Sequence, residues 1–215
     1  MIKDLAARGK DVLFSEGLAT LANRTIDRFI YSSHVYYIMR YNLANLDYSS
    51  DRLRPSINTN FCERFILDNA HNPLPHGYRM PSLLDFDKRL HYGCIALLIF
   101  YRKRLMTIGW SCPTLESSKA NVLWHELAMH YADYTNGINV GGGQWTDPEF
   151  RGMGFATQGV LQRAKYSYSI GKTITYGTCD ITNKPAYAMQ LKAGGVPVAR
   201  VKVIKTPLGI KWTPY

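Results

Sequence analysis

Between residues 29 and 41 the chain repeats with a period of two. Phe29, Tyr31, Val35, Tyr37, Met39 and Tyr41 share one face, while Ile30, Tyr36 and Ile38 put apolar weight on the other. Aromatic and β-branched residues at that spacing predict a strand or an extended arm packed on the main domain. Residues 1–25 carry a loose helical pattern broken by Gly9 and Gly17, which predicts one weak helix or two short ones. The polar, turn-rich stretch 42–55 divides an amino-terminal extension, residues 1–55, from a domain of residues 56–215.

Within that domain, residues 58–67 predict a strand, 69–77 a loop holding Asn72-Pro73 and Pro75, and 81–90 a short helix. The apolar runs 94–101 and 105–110 predict a hairpin around Arg102, Lys103 and Arg104, although its turn lacks the Asn-Gly signal. Residues 120–130 read as helix, and 131–150 as strand, turn at Asn136-Gly137, and strand. The carboxy-terminal third is the most regular. Residues 152–170 place Ala156, Val160, Leu161, Ala164 and Tyr168 in a helical stripe about 140° wide. Residues 173–180 form a β-branched strand, and 185–193 a helix that Pro185 opens and Gly194-Gly195 closes. Residues 196–205 and 208–212 are two further strands. This order predicts an α/β fold with a mixed sheet.

Composition narrows the classes. The chain has 215 residues and 46% hydrophobic content, enough for one sizeable core. Its longest apolar run, 94–101, has the length of a strand and falls far short of the roughly 20 residues a spanning helix needs. Cys62, Cys94, Cys112 and Cys179 are scattered without a C-x-x-C pair. With no secretory signal visible, they read as reduced thiols of a cytoplasmic protein with no structural metal. The net charge of +10 is uneven, because residues 151–215 hold ten Lys and Arg against one acid, Asp180. A basic half attracts anions. Single spacing of the charges favours a phosphorylated cofactor or a solvated face over a nucleic-acid-tracking stripe.

Residues 144–157 carry the chemistry. A strand ends near Pro148, a turn with Gly152 and Gly154 follows, and a helix starts at once. The first amides of a helix have no intrahelical partner and sit at the positive end of its dipole, so the segment is an anion cradle. Arg151 adds a full charge. A P-loop needs Gly-Lys-Ser/Thr after its second glycine, and a dinucleotide fingerprint needs a third glycine; neither is present.

Arg151-x-x-Gly154-x-Ala156 instead resembles the Q/R-x-x-G-x-G/A acyl-CoA signature of the GNAT superfamily of N-acetyltransferases. Asn183, Ala186, Met189, Gln190 and Gly194 fall on that family's second spacing, N-x-x-A-x-x-L-Y-x-x-x-G, and the resemblance covers roughly residues 90–215. It implies a mixed, mostly antiparallel sheet flanked by helices on both faces. It also implies that Arg151, Gly152, Met153, Gly154, Phe155, Ala156 and Thr157 offer amides to the CoA pyrophosphate. The backbone of Trp145 and Thr146 would pair with pantetheine, and Asn183 would lie near the pantetheine arm or acyl carbonyl. The family's general-acid tyrosine is here Gln190; Tyr187, one turn earlier, is the candidate substitute. Glu126 and Glu149 are the candidate bases, and a solvated surface carboxylate is the competing reading of each.

The resemblance therefore implies transfer of an acetyl or longer acyl group from acyl-CoA to a small-molecule primary amine, without a metal. Two alternatives stay open. One is an enzyme like the N-acyl amino acid synthases, with acyl-carrier protein as donor; the other is a non-catalytic module of the same fold that binds a ligand or nucleic acid. His125-Glu126 and His130 imitate a zinc helix, but a separation of five residues swings the second ring about 140° away from the first. Gly141-Gly142-Gly143, flanked by strand-like residues, predicts a bulge or a close backbone approach.

Overall fold

Apolar residues at every position of 95–101 give a strand buried on both faces, β3 (Ile95–Tyr101), and the chain returns at once as β4 (Arg104–Cys112). The turn between them uses Arg102 and Lys103, both in the left-handed region at φ 48° and 64°. That geometry suits the right-handed twist of a two-residue hairpin, which is why the turn forms without its preferred Asn-Gly. The computed structural model describes residues 32–48, 62–67, 86–206 and 209–215. The expected loop at 69–77 and the weak helices at 1–25 lie outside them.

The other strands are β1 (Ser32–Asn42), β2 (Cys62–Leu67), β5 (Ile138–Thr146), β6 (Ile174–Asp180), β7 (Val196–Thr206) and β8 (Gly209–Pro214). They form one sheet in the order β2-β3-β4-β5-β6-β1-β7-β8. All neighbours are antiparallel except β5 and β6, which run parallel. The mixed, mostly antiparallel sheet is therefore as expected.

The place of β1 is not. Residues 32–42, expected in an extension outside the domain, sit inside its sheet, with Tyr36 opposite both Asp180 of β6 and Val201 of β7. A strand in that position is buried on both faces. Ile38 packs in one core with Val140 and Val201, while Met39 packs in the other with Val160 and Ala164. The imperfect alternation of the sequence has this cause.

Helices cover both faces. On one lie α1 (Phe86–His91), α2 (Leu115–Ser118) and α3 (Val122–Tyr131), with Trp124 and Leu127 buried against Trp110 and Val140. On the other lie α4 (Phe155–Ser169) and α5 (Lys184–Lys192). The predicted strand after residue 131 is instead the end of α3 followed by a 3-10 turn, Tyr134–Asn136. Asp133 caps that turn, and Gly137 closes it at φ 72°. In α4 the predicted stripe is only partly right: Tyr168 is exposed, while Thr157, Gln158, Arg163 and Ser167 are buried. The helix is enclosed by the sheet and by α5, so its polar residues are covered too. Among the described residues no helix is long and apolar enough to cross a membrane.

Replacing Arg102-Lys103 by Asn-Gly should relieve the left-handed strain and stabilise the protein by about 1 kcal/mol. Calorimetry should show the melting temperature rising by about 2–4 °C.

Candidate functional site

The site begins where β5 and β6 part. They pair over Ile138↔Ile174, Asn139↔Thr175 and Val140↔Tyr176. On the far edge of β5, Trp110 faces Gly142 and Ile108 faces Trp145, so β5 carries one residue more than β4 between these pairs. This is the bulge expected at the glycines. Gly143 sits at φ 57°, and a Cβ there would lie 2.8 Å from both Arg89 Nη1 and Trp124 Cζ2. A bulge bends its strand and raises the local twist, turning residues 144–146 away from β6. Strand β6 meanwhile stays paired with β1 through Tyr36↔Asp180. Beyond the three pairs, each strand is therefore laddered on its outer edge only. The inner edges face a cavity of about 890 Å³, a size suited to a cofactor.

The turn after β5 closes one end of this cavity. The Asp147 carboxylate accepts from Glu149 N and receives Arg104 Nε and Nη2 at 2.9–3.1 Å. Phe150 wedges against Phe155 and Tyr101. Gly152 and Gly154 then adopt φ of 74° and 87°, and Gly154 becomes the N-cap of α4. No side chain caps this helix. The amides of its first turn line the cavity with nothing from α4 itself to satisfy them. Arg151 stands beside them, its Nε donating to Thr146 O at 3.2 Å.

The opposite wall comes from β6 and α5. Asn183 caps α5 by accepting from Ala186 N at 3.1 Å. Gln190 is nearly buried; its Oε1 accepts from the Tyr41 hydroxyl at 3.1 Å and its Nε2 donates to Thr178 O. Burial pushes the Tyr41 phenol well above its ordinary pKa, so it keeps its proton. Arg151, Arg163 and Lys192 supply cationic side chains to the wall, and Asp180 supplies the single carboxylate among the described lining residues. Burial alone would raise the Asp180 pKa. Hydrogen bonds from Thr182 Oγ1, Thr182 N and His34 Nδ1 outweigh it and hold the carboxyl below its usual range. The balance of charge favours an anion.

No family model matches the chain, and no curated protein matches it in sequence. Solved structures do match in shape. A tandem GNAT protein from the clavulanic acid biosynthesis pathway superposes with a TM-score of 0.53 at 12% identity, over 87% of this chain and 57% of that one. A Drosophila protein matches with a TM-score of 0.50 at 12% identity, over the same shares. The chain thus spans little more than half the length of each.

The chain has the GNAT fold.

Within the GNAT-fold cleft the predicted donor-side residues come together. Trp145, Thr146, residues 151–157 and Asn183 all line one cavity. The three expected catalytic side chains do not reach it. Tyr187 stacks on Tyr37, with ring centroids 4.7 Å apart, on the side of α5 that packs against β1. Glu149 is exposed and holds Arg104 Nη1 at 2.5 Å. Glu126 lies on α3 beside His130, 3.7 Å away. His125 turns instead to Ser118 Oγ, and His130 stacks on Trp212. Sequence reasoning missed Tyr41, because its strand had been set outside the domain. It also missed Arg163, whose signal was a charge between Val160 and Ala164 on the apolar side of a helix.

The Asp180 carboxyl titrates lower in the folded chain than in the unfolded one. Its stabilisation is therefore complete above the unfolded value and lost as pH falls through the folded one. Asp180→Asn should cost about 1 kcal/mol near neutrality, and denaturant titrations from about pH 6 to about pH 2 should show the gap to wild type closing.

Proposed function

We propose that this protein is a cytoplasmic N-acyltransferase that moves an acetyl or longer acyl group from acyl-CoA to a small primary amine by direct attack on the thioester. The observation that carries the reading is the uncapped first turn of α4, opening behind two left-handed glycines into the gap between parted parallel strands. In this reading the pyrophosphate sits on the amides of residues 152–157 with Arg151 beside it. The pantetheine arm, which carries amides of its own, pairs with the free backbone edge of β5 at Trp145 and Thr146, with Asn183 across from it. The thioester then lies deeper, where the strands converge. Backbone donors of the β5 edge face the oxygen that becomes negative during attack.

The departing thiolate needs a hydrogen-bond donor, and Tyr41 takes the role first sought at Tyr187. Tyr41 lines the cleft, and its hydroxyl is protonated at neutral pH and donates to the side chain of Gln190, the position of the family's tyrosine. Glu126 and Glu149 stand outside the cleft. Asp180 is too acidic to be an effective base near neutrality, so the amine's proton leaves through water. Acyl-carrier protein would present the same arm, its acidic surface meeting Arg151 and Lys192.

Acetyl-CoA or a longer acyl-CoA at about 100 times its Kd should stabilise the protein by about 2.7 kcal/mol. Arg151→Glu should remove most of that gain, as followed by thermal shift. If acyl-CoAs and acyl-carrier protein leave the melting temperature unmoved while an oligonucleotide raises it with steep salt dependence, the fold serves binding instead. Tyr41→Phe should lower kcat by about ten- to a hundredfold with little change in KM for the CoA ester, in steady-state assays with an amine acceptor.

A further inference from the structure

The acyl-CoA reading leaves Arg163, which lines the cleft, without a task. This residue is 7% exposed, yet it takes part in none of the ion pairs of the described residues. Its hydrogen bond runs from Nη1 to Gly142 O at 3.3 Å. The ionisable groups whose charge would bear on it are Tyr41 and Cys112, and burial raises the pKa of both, so each is neutral at physiological pH. The guanidinium itself stays charged in proteins even though burial lowers its pKa. An enclosed, uncompensated charge is costly, and an apolar side chain of similar volume often serves stability better.

The strands around it make room. A Cβ on Gly109 would lie 2.4 Å from Nη1, and one on Gly141 would lie 3.7 Å from Nε. Glycine at 109 on β4 therefore leaves the guanidinium its place, while Gly141 on β5 lies in ordinary contact with it. Arg163 also lines the cavity, eight residues along α4 from Phe155, or about 12 Å by helical rise. The α4 turn lines one part of the cleft, and Arg163, farther along the same helix, lines a second. With a pyrophosphate at the first, the second is where the acyl group and the attacking amine meet.

We propose that Arg163 binds a carboxylate carried by one of the two reactants: the distal carboxylate of a dicarboxylic acyl group on CoA, or the carboxylate of an amino-acid acceptor. A planar bidentate donor matches a carboxylate, and its arrival supplies the charge that the fold omits. The proposal rests on the acyl-CoA reading of the cleft and adds the substrate class to it.

Isothermal titration of the full chain tests both sources. One arm compares malonyl- and succinyl-CoA with acetyl- and butyryl-CoA. The other, with CoA present, compares amino acids with the corresponding decarboxylated amines. Wild type should prefer the carboxylated member at least about tenfold in one arm, the size expected when a charge-assisted pair is kept or lost. Arg163→Met should abolish the preference and Arg163→Lys should retain part of it. Without ligand, Arg163→Met should melt at or above the wild-type temperature. Parity in both wild-type arms, or a preference that survives Arg163→Met, overturns the carboxylate site. If acetyl-CoA still binds in that case, the acyl-CoA reading stands. If no CoA ester binds, both fall. Should Arg163→Met fail to fold, the wild-type comparison and Arg163→Lys decide.

Discussion

Strands β5 and β6 run side by side for three residue pairs and then separate, and each keeps its ladder only on the far side. Backbone polar groups facing a gap in the middle of a sheet need partners from somewhere. Two devices keep the gap from closing. The bulge at Gly143 turns β5 outward, and β1 holds β6 from the other side. The cavity, the polar lining of α4 and the uncapped first turn that borders the cavity all follow from this separation.

The same separation explains the distribution of charge. A gap lined by free amides, the positive end of α4, Arg151, Lys192 and Arg163 is suited to an elongated ligand with anionic groups. Arg104 contributes indirectly, since its guanidinium fixes Asp147 and Glu149 and thereby the approach to the two left-handed glycines. In the proposed function, substrate contact falls to Arg151 and Arg163, while the observed ion pairs give turn geometry to Arg104.

Much of this was legible in the sequence where local rules dominate. The turn at residues 151–157, the glycine bulge, the capped α5 and the strand before it depend on glycine, proline and capping residues acting within a few positions. The missing part was non-local. Nothing near residues 32–42 says that they pair with residues 174–180 and 196–205, so a central strand read as an extension, and Tyr41 was lost with it. Tyr187 failed for a geometric reason. One turn from Gln190 is still a different direction on the helix, and the nearby Tyr37 ring captures it. The strand predicted after residue 131 failed because Asp133 and Gly137 make a tighter turn than hydrophobic periodicity reveals. Arg163 was visible as a breach of the apolar pattern, but its meaning required knowing that a cleft lies beside it.

The central claim is that the parted edge of β5 and the first turn of α4 together hold the donor. Hydrogen exchange resolved to short peptides, with and without saturating acetyl-CoA, tests it most directly. Slower exchange should be confined chiefly to residues 144–146 and 152–157, with the outer strands β2 and β8 unchanged. Binding that leaves both of those segments exchanging at the ligand-free rate would contradict the account.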